Sequence, residues 1–123
     1  MLHEEFSNFV SKVMDRCRCL LDTKSDDYSS QDDKLYNFKA AGRIADVFPI
    51  EALAGMDLKH RTSIQQGIEE YIASGILRPL DWWMEKVVDH INYQLLLLAL
   101  IAEIENVHST QTETPCPATI PES

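Results

Sequence analysis

The chain reads as an all-α protein: a four-helix, bundle-like domain over 1–107, completed by oligomerisation, followed by a flexible tail over 108–123. Three observations predict this. Apolar residues recur at helical offsets in four separate segments. Short connectors carrying Pro, Gly or runs of Asp and Ser part those segments. No segment of useful length alternates with the period of a strand. The four glycines among 123 residues are scattered, which also suits helices.

The first helix is predicted over Glu4 to Leu21, where Phe6, Phe9, Val10, Val13, Met14, Cys17, Leu20 and Leu21 follow helical spacing. Asp22 to Asp32 holds no aliphatic residue and is rich in Asp and Ser, so it reads as a loop ordered around Tyr28. Asp32 or Asp33 is placed to cap a short second helix with Leu35, Phe38, Ala41, Ile44 and Ala45 on its apolar side. Pro49 suits the first turn of a third helix that runs to about Ala73. Its stripe is Leu53, Met56 or Asp57, His60, Ile64, Gly67 or Ile68, then Tyr71 and Ile72; Gly55 and Gly67 weaken its continuity. Ser74-Gly75 is a stop, and Pro79 lies in the connector that follows. Asp81 caps the fourth helix, which reaches about Val107 with Met84, Val87, Val88, Ile91, Leu95, Leu98, Ala99 and Ala102 on its apolar side. Leu95 to Leu98 cover every direction of that helix, so its second half is expected to be buried in the domain or in a subunit interface.

Composition narrows the function classes. The net charge is −9, from 11 basic and 20 acidic residues, and no basic stripe is visible. A nucleic-acid duplex is therefore an improbable partner, and anionic membranes are disfavoured. The uninterrupted apolar run from Leu95 to Ala102 falls short of the roughly 20 residues of a membrane span. Met1-Leu2-His3-Glu4-Glu5 lacks the basic and apolar start of a signal peptide. With three cysteines at no metal or disulfide spacing, the expected setting is the reducing cytoplasm. Cys17 lies between Arg16 and Arg18 but on a core-facing stripe, which favours an inert thiol over an activated one.

The residues that would carry chemistry sit in three places. On the fourth helix, Glu85, Asp89 and Asn92 share one face at offsets of four and three, with Asp81 continuing the stripe. Such a stripe is either a solvated face or a site. Two carboxylates one turn apart repel, and Mg²⁺ would relieve that repulsion through its preference for carboxylate oxygens. Lys24, Asp27 and Tyr28 offer a phosphate partner, a further carboxylate and a ring to cover a base; as a plain polar turn they would instead cap backbone. On the third helix Lys59, His60 and Arg61 fan around the axis, so only one or two face any single cavity. Lys59 or His60 would reach a phosphate, and His60 in a packed role is the simpler alternative. Asn37 is open to either reading, Phe38 is core, and Trp82-Trp83 reads as packing. Glycine-rich phosphate loops, paired zinc histidines and a nucleophile elbow are not found.

Taken in order, Lys24-x-x-Asp27-Tyr28, Asn37-Phe38, Met56-x-x-Lys59-His60 and Glu85-Lys86-x-x-Asp89-x-x-Asn92-Tyr93 resemble the phage and bacterial nucleotide-modification-associated domain proteins. Those are related to the all-α, MazG-like nucleoside triphosphate pyrophosphatase superfamily. The resemblance spans about Phe6 to Glu103. It implies a helical dimer or tetramer and Mg²⁺-dependent cleavage between the α- and β-phosphates with release of pyrophosphate. Glu85 and Asp89 would be catalytic and, with Asp27, metal ligands. Lys24, Asp27, Tyr28, Asn37, Lys59, His60 and Asn92 would bind the nucleotide. The sequence departs from that pattern in having no Glu-Glu-x-x-Glu motif on an earlier helix, so Asp27 or Asp57 would have to supply the missing charge. The first expectation is thus a Mg²⁺-dependent NTP pyrophosphohydrolase-like protein that acts on or binds a nucleotide. The alternative is a non-catalytic helical binding protein, such as a phage counter-defence factor that sequesters a nucleotide signal or occupies a host protein.

Overall fold

A computed structural model describes residues 1–28 and 33–108, the side chains of 24–28 and 107–108 excepted. The described residues form four helices and no strand: α1 (His3–Tyr28), α2 (Tyr36–Ala45), α3 (Pro49–Ser74) and α4 (Leu80–His108). The all-α expectation holds. The C-terminal tail lies outside the described residues.

α1 is longer than its apolar pattern. The expected loop from Asp22 is helical through Tyr28. Polar residues do not stop a helix in the absence of Gly or Pro, and the Thr23 hydroxyl donates to the Cys19 carbonyl at 2.8 Å, one turn back. α2 starts later than a cap at Asp33 would place it. The Asp33 carboxylate accepts the Leu35 N–H at 2.9 Å and its carbonyl accepts the Tyr36 N–H at 3.1 Å, so Asp33 builds the turn that leads into the helix. α3 begins with Pro49 as expected and ends at Gly75, whose φ of 73° places its N–H on the Tyr71 carbonyl. Neither Gly55 nor Gly67 interrupts it. α4 opens at Leu80, with Pro79 accepting the Trp82 N–H at 3.0 Å; Asp81 is in the first turn and is not the cap.

α3 packs on both α2 and α4, and α1 packs on α4. The core gathers Leu35 and Phe38 from the α2 region, Leu53 from α3 and Leu100 from α4. Ile50, Met56, Tyr93, Leu96 and Leu97 pack around them. Four fully apolar directions in Leu95–Leu98 leave the buried face of α4 undetermined by pattern, and the shared core with Leu53 of α3 and Leu35 and Phe38 of the α2 region selects it. The inward residues are Leu96, Leu97 and Leu100, whereas Leu95, Leu98, Ala99 and Ala102 are exposed, Leu98 by 64%. The same correction applies to Ile44 and Ala45 on α2, with Ile44 88% exposed, and to Tyr71 and Ile72 at the end of α3. On α1, Cys17 is buried, but Phe6, Phe9, Val10 and Met14 remain exposed.

Two electrostatic ties hold the ends. Lys39 of α2 pairs with Asp33 at 2.6 Å and with Glu103 of α4. Arg78 in the α3–α4 connector donates two hydrogen bonds to Glu70, both at 2.7 Å, and lies 4.4 Å above the Trp82 ring. By length and composition, Leu80–Asn106 of α4 is apolar enough to cross a membrane, with a mean hydropathy of 1.4. The uninterrupted run used above understates this, because hydropathy averages across Asn92 and Gln94.

Candidate functional site

The seam between α3 and α4 holds two acid–imidazole pairs that cross it in opposite senses. Asp57 of α3 meets His90 of α4, and His60 of α3 meets Asp89 of α4. The geometry follows from helix spacing. Asp57 and His60 are three apart and share a face, and Asp89 and His90 are consecutive, so they diverge to the two flanks of the seam.

The first pair is tight. His90 Nδ1 lies 3.0 and 2.9 Å from the two oxygens of Asp57, and Gln94 Nε2 donates to the same carboxylate at 3.1 Å. The Asp57 side chain is 4% exposed and that of His90 31%. A buried carboxylate is costly unless hydrogen-bonded, and here α4 supplies the donors from successive turns. With Nδ1 turned to Asp57, the imidazole ring is fixed in orientation.

The second pair is loose. His60 Nδ1 and Asp89 Oδ2 are 3.8 Å apart, beyond hydrogen-bonding distance, with both side chains mostly buried. His60 also lies against Tyr93, with ring centroids 5.2 Å apart, and Tyr93 meets the edge of Phe38 at 6.2 Å. Asn92, one turn beyond Asp89, is buried at 7% exposure, and its Oδ1 has no hydrogen-bond partner. Thus Phe38, His60, Asp89 and Tyr93, drawn from three helices, meet on one flank of the seam.

The other expected site residues fall elsewhere. Glu85 is exposed, its side chain by 64%, and its nearest cation is Lys86 at 3.8 Å. Lys59 and Arg61 are exposed on α3, and Asn37 is half-buried on α2. The side chains of Lys24, Asp27 and Tyr28 lie outside the described residues. Among the described residues, no group of three or more His, Cys, Asp or Glu side chains is gathered to hold a metal ion. Burial pushes the Cys17 thiol above its ordinary value, partly offset by a backbone hydrogen bond, which agrees with an inert cysteine.

His90 and Gln94 escaped the sequence reading. The signal was present: Asp57 falls on the core-facing stripe of α3, where a carboxylate requires a partner, and Lys86, His90 and Gln94 form a polar i, i+4 row on α4. The Trp pair proves to be packing. Trp82 and Trp83 meet edge to face at 5.0 Å, and a Cβ on Gly67 would come within 2.7–2.8 Å of their rings. Only glycine lets α3 approach the α4 corner this closely. Comparison with known family models, with curated proteins and with solved structures finds no match.

Proposed function

We propose that the chain is a helical nucleotide-binding protein, phage or bacterial, of the MazG-like NTP pyrophosphatase type. The observation that carries this reading is the convergence at the α3–α4 seam. Phe38, His60, Asp89 and Tyr93 belong to three of the four separate motifs on which the resemblance rests. Their approach across three helices is what a shared ligand site requires and what unrelated surface polarity does not.

Mg²⁺ belongs to the proposal. Glu85 and Asp89, one turn apart on α4, would hold the ion, as Mg²⁺ is commonly bound by one or two carboxylates together with substrate phosphates. Asp27 would add a third carboxylate. The chemistry such an ion supplies is polarisation of phosphate oxygens and a bound water of lowered pKa. Lys24 and Lys59 would neutralise phosphate charge, and Tyr28 and Asn37 would hold the nucleoside. Purified protein incubated with a panel of nucleoside triphosphates and Mg²⁺ should release pyrophosphate from at least one; none released at high protein concentration removes the catalytic reading.

One observation favours a second reading, binding without turnover. Glu85 is turned to solvent beside Lys86 and is not drawn in with Asp89. A nucleotide or nucleotide-derived signal would then be held and not cleaved. Calorimetry separates the two: tight, Mg²⁺-independent binding without product formation supports sequestration. No heat with any nucleotide leaves only a host-protein target.

We further propose a homo-oligomer, a dimer or tetramer, in the cytoplasm. Phe6, Phe9, Val10 and Met14 of α1 and Leu95, Leu98, Ile101 and Ile104 of α4 leave more apolar surface exposed than scattered single residues would. A second copy covering them would bury the kind of apolar face seen in obligate dimers. Sedimentation should show an assembly, and a monomer at high concentration would overturn it.

A further inference from the structure

The bond between Asp57 and His90 occupies only one side of the imidazole. Nδ1 is held by the two Asp57 oxygens at 2.9 and 3.0 Å, and Gln94 donates to the same carboxylate. Nε2, on the far side of the ring, has no hydrogen-bond partner among the described residues. It is not enclosed either, and the side chain is 31% exposed. A carboxylate that accepts from Nδ1 leaves Nε2 as the nitrogen that meets a ligand, and it holds the ring in place for that contact.

Two cations share that flank. α3 and α4 run antiparallel, since Asp57 meets His90, His60 lies by Asp89, and Gly67 abuts Trp82 and Trp83. Arg61, one turn after Asp57, therefore falls opposite Lys86, one turn before His90, with steps of about 6 Å along each axis. Arg61 is exposed and makes no ion pair among the described residues. Lys86 is half-buried, and Glu85 lies 3.8 Å from its Nζ, beyond hydrogen-bonding distance. Arg61 also borders an open cleft of about 500 Å³ along α3, with Thr62 and Gln65 in its lining. Donors from two helices thus meet at one exposed patch, and Asp57, the carboxylate between them, is already engaged. We propose that His90 Nε2, Lys86 and Arg61 bind a phosphoryl group, as inorganic phosphate or a phosphate monoester, with Asp57 as a positioning residue. A phosphoryl group offers several acceptor oxygens, and Arg and Lys are its usual partners. The imidazolium donates from Nε2 to one of those oxygens, and the neutral ring accepts from a phosphoryl O–H. A metal cation is the poorer occupant, because two positive side chains flank Nε2. This inference does not rest on the nucleotide reading: the site lies on the other flank from His60 and Asp89, and the resemblance gives its residues no role.

The test is nitrogen NMR of the histidine and arginine side chains in the full chain. The neutral His90 ring should carry its proton on Nδ1 and a lone pair on Nε2; a proton on Nε2 overturns the inference. Titration with inorganic phosphate should then move the His90 Nε2 and Arg61 signals saturably, with a Kd of about 1 mM or below. Sodium chloride at matched ionic strength should not. R61Q and K86Q should each weaken phosphate binding about tenfold, the loss expected for one charge-assisted hydrogen bond, with little change in melting temperature. H90N should abolish binding, and if it does not fold, R61Q and K86Q report on the same site. A parallel titration with phenyl phosphate assigns the source. Tighter binding of the ester marks a monoester site, and equal or tighter binding of inorganic phosphate marks a site for the free ion; both support the inference. The same signal movement with chloride shows general screening and overturns it. Equal phosphate affinity in wild type, R61Q and K86Q overturns it as well.

Discussion

The two flanks of the α3–α4 seam use the same residue types for opposite ends. On one flank Asp57 is buried and engaged by His90 and Gln94 at 2.9–3.1 Å. On the other, His60 and Asp89 stand 3.8 Å apart, beside an amide whose oxygen has no partner. The difference teaches that acid–imidazole proximity is not itself a site. A carboxylate bonded directly to an imidazole fixes the register of two helices, whereas a pair 3.8 Å apart packed against the Tyr93 ring does not do so through a hydrogen bond of its own.

Separating stability from binding breaks or sharpens that contrast most directly. D57A leaves His90 and Gln94 without their shared acceptor and should lower unfolding free energy by about 2–3 kcal/mol in urea titrations. D89N on the His60 flank should show its larger effect in nucleotide binding, weakened about tenfold or more. Equal stability losses in the two variants would erase the distinction. A next-larger effect tests whether the corner that aligns both flanks is close-packed. G67A drives a methyl group into Trp82 and Trp83 and should cost about 2 kcal/mol. G55A has nothing within 4 Å of the added Cβ and should stabilise by about 0.5–1 kcal/mol. Thermal melts of the two variants should therefore move in opposite directions.

The smallest effect concerns the tie outside the seam. The hydrogen bond from Lys39, helped by the Leu35 N–H, lowers the Asp33 carboxyl below its ordinary value, and burial opposes this. A depressed folded value means that this stabilisation is present above the unfolded value near 4 and is lost as pH falls through the lower folded value. The pair is partly exposed, so solvent screening keeps the effect under about 1 kcal/mol. Stability measured between pH 5 and pH 2 should fall less steeply in K39M than in wild type.

Much of the fold was legible because helical periodicity and end signals are local. Pro49, Gly75 and the apolar offsets placed α3 within a residue of its observed ends. α1 exceeded its expected end because its polar last turns contain neither Gly nor Pro, and composition alone does not separate a solvated helix from a loop. Of the site residues, His60, Asp89 and Asn92 were singled out and lie on the His60–Asp89 flank or one turn from it. Glu85 shares a face with Asp89 at four-residue spacing, yet its side chain is 64% exposed. His90 went unnoticed because its partner is 33 residues away on another helix.

The sequence by itself determined four helices, most of their ends, the acidic balance and the identity of the polar residues on each helix, all of which depend on neighbours within a few turns. The tertiary structure alone decided which side of the leucine run faces inward. It also decided that Asp57 is closed by His90, and that Asn92 is buried with its oxygen unmatched. Each of those depends on where a second helix lies, and local spacing carries no information about that.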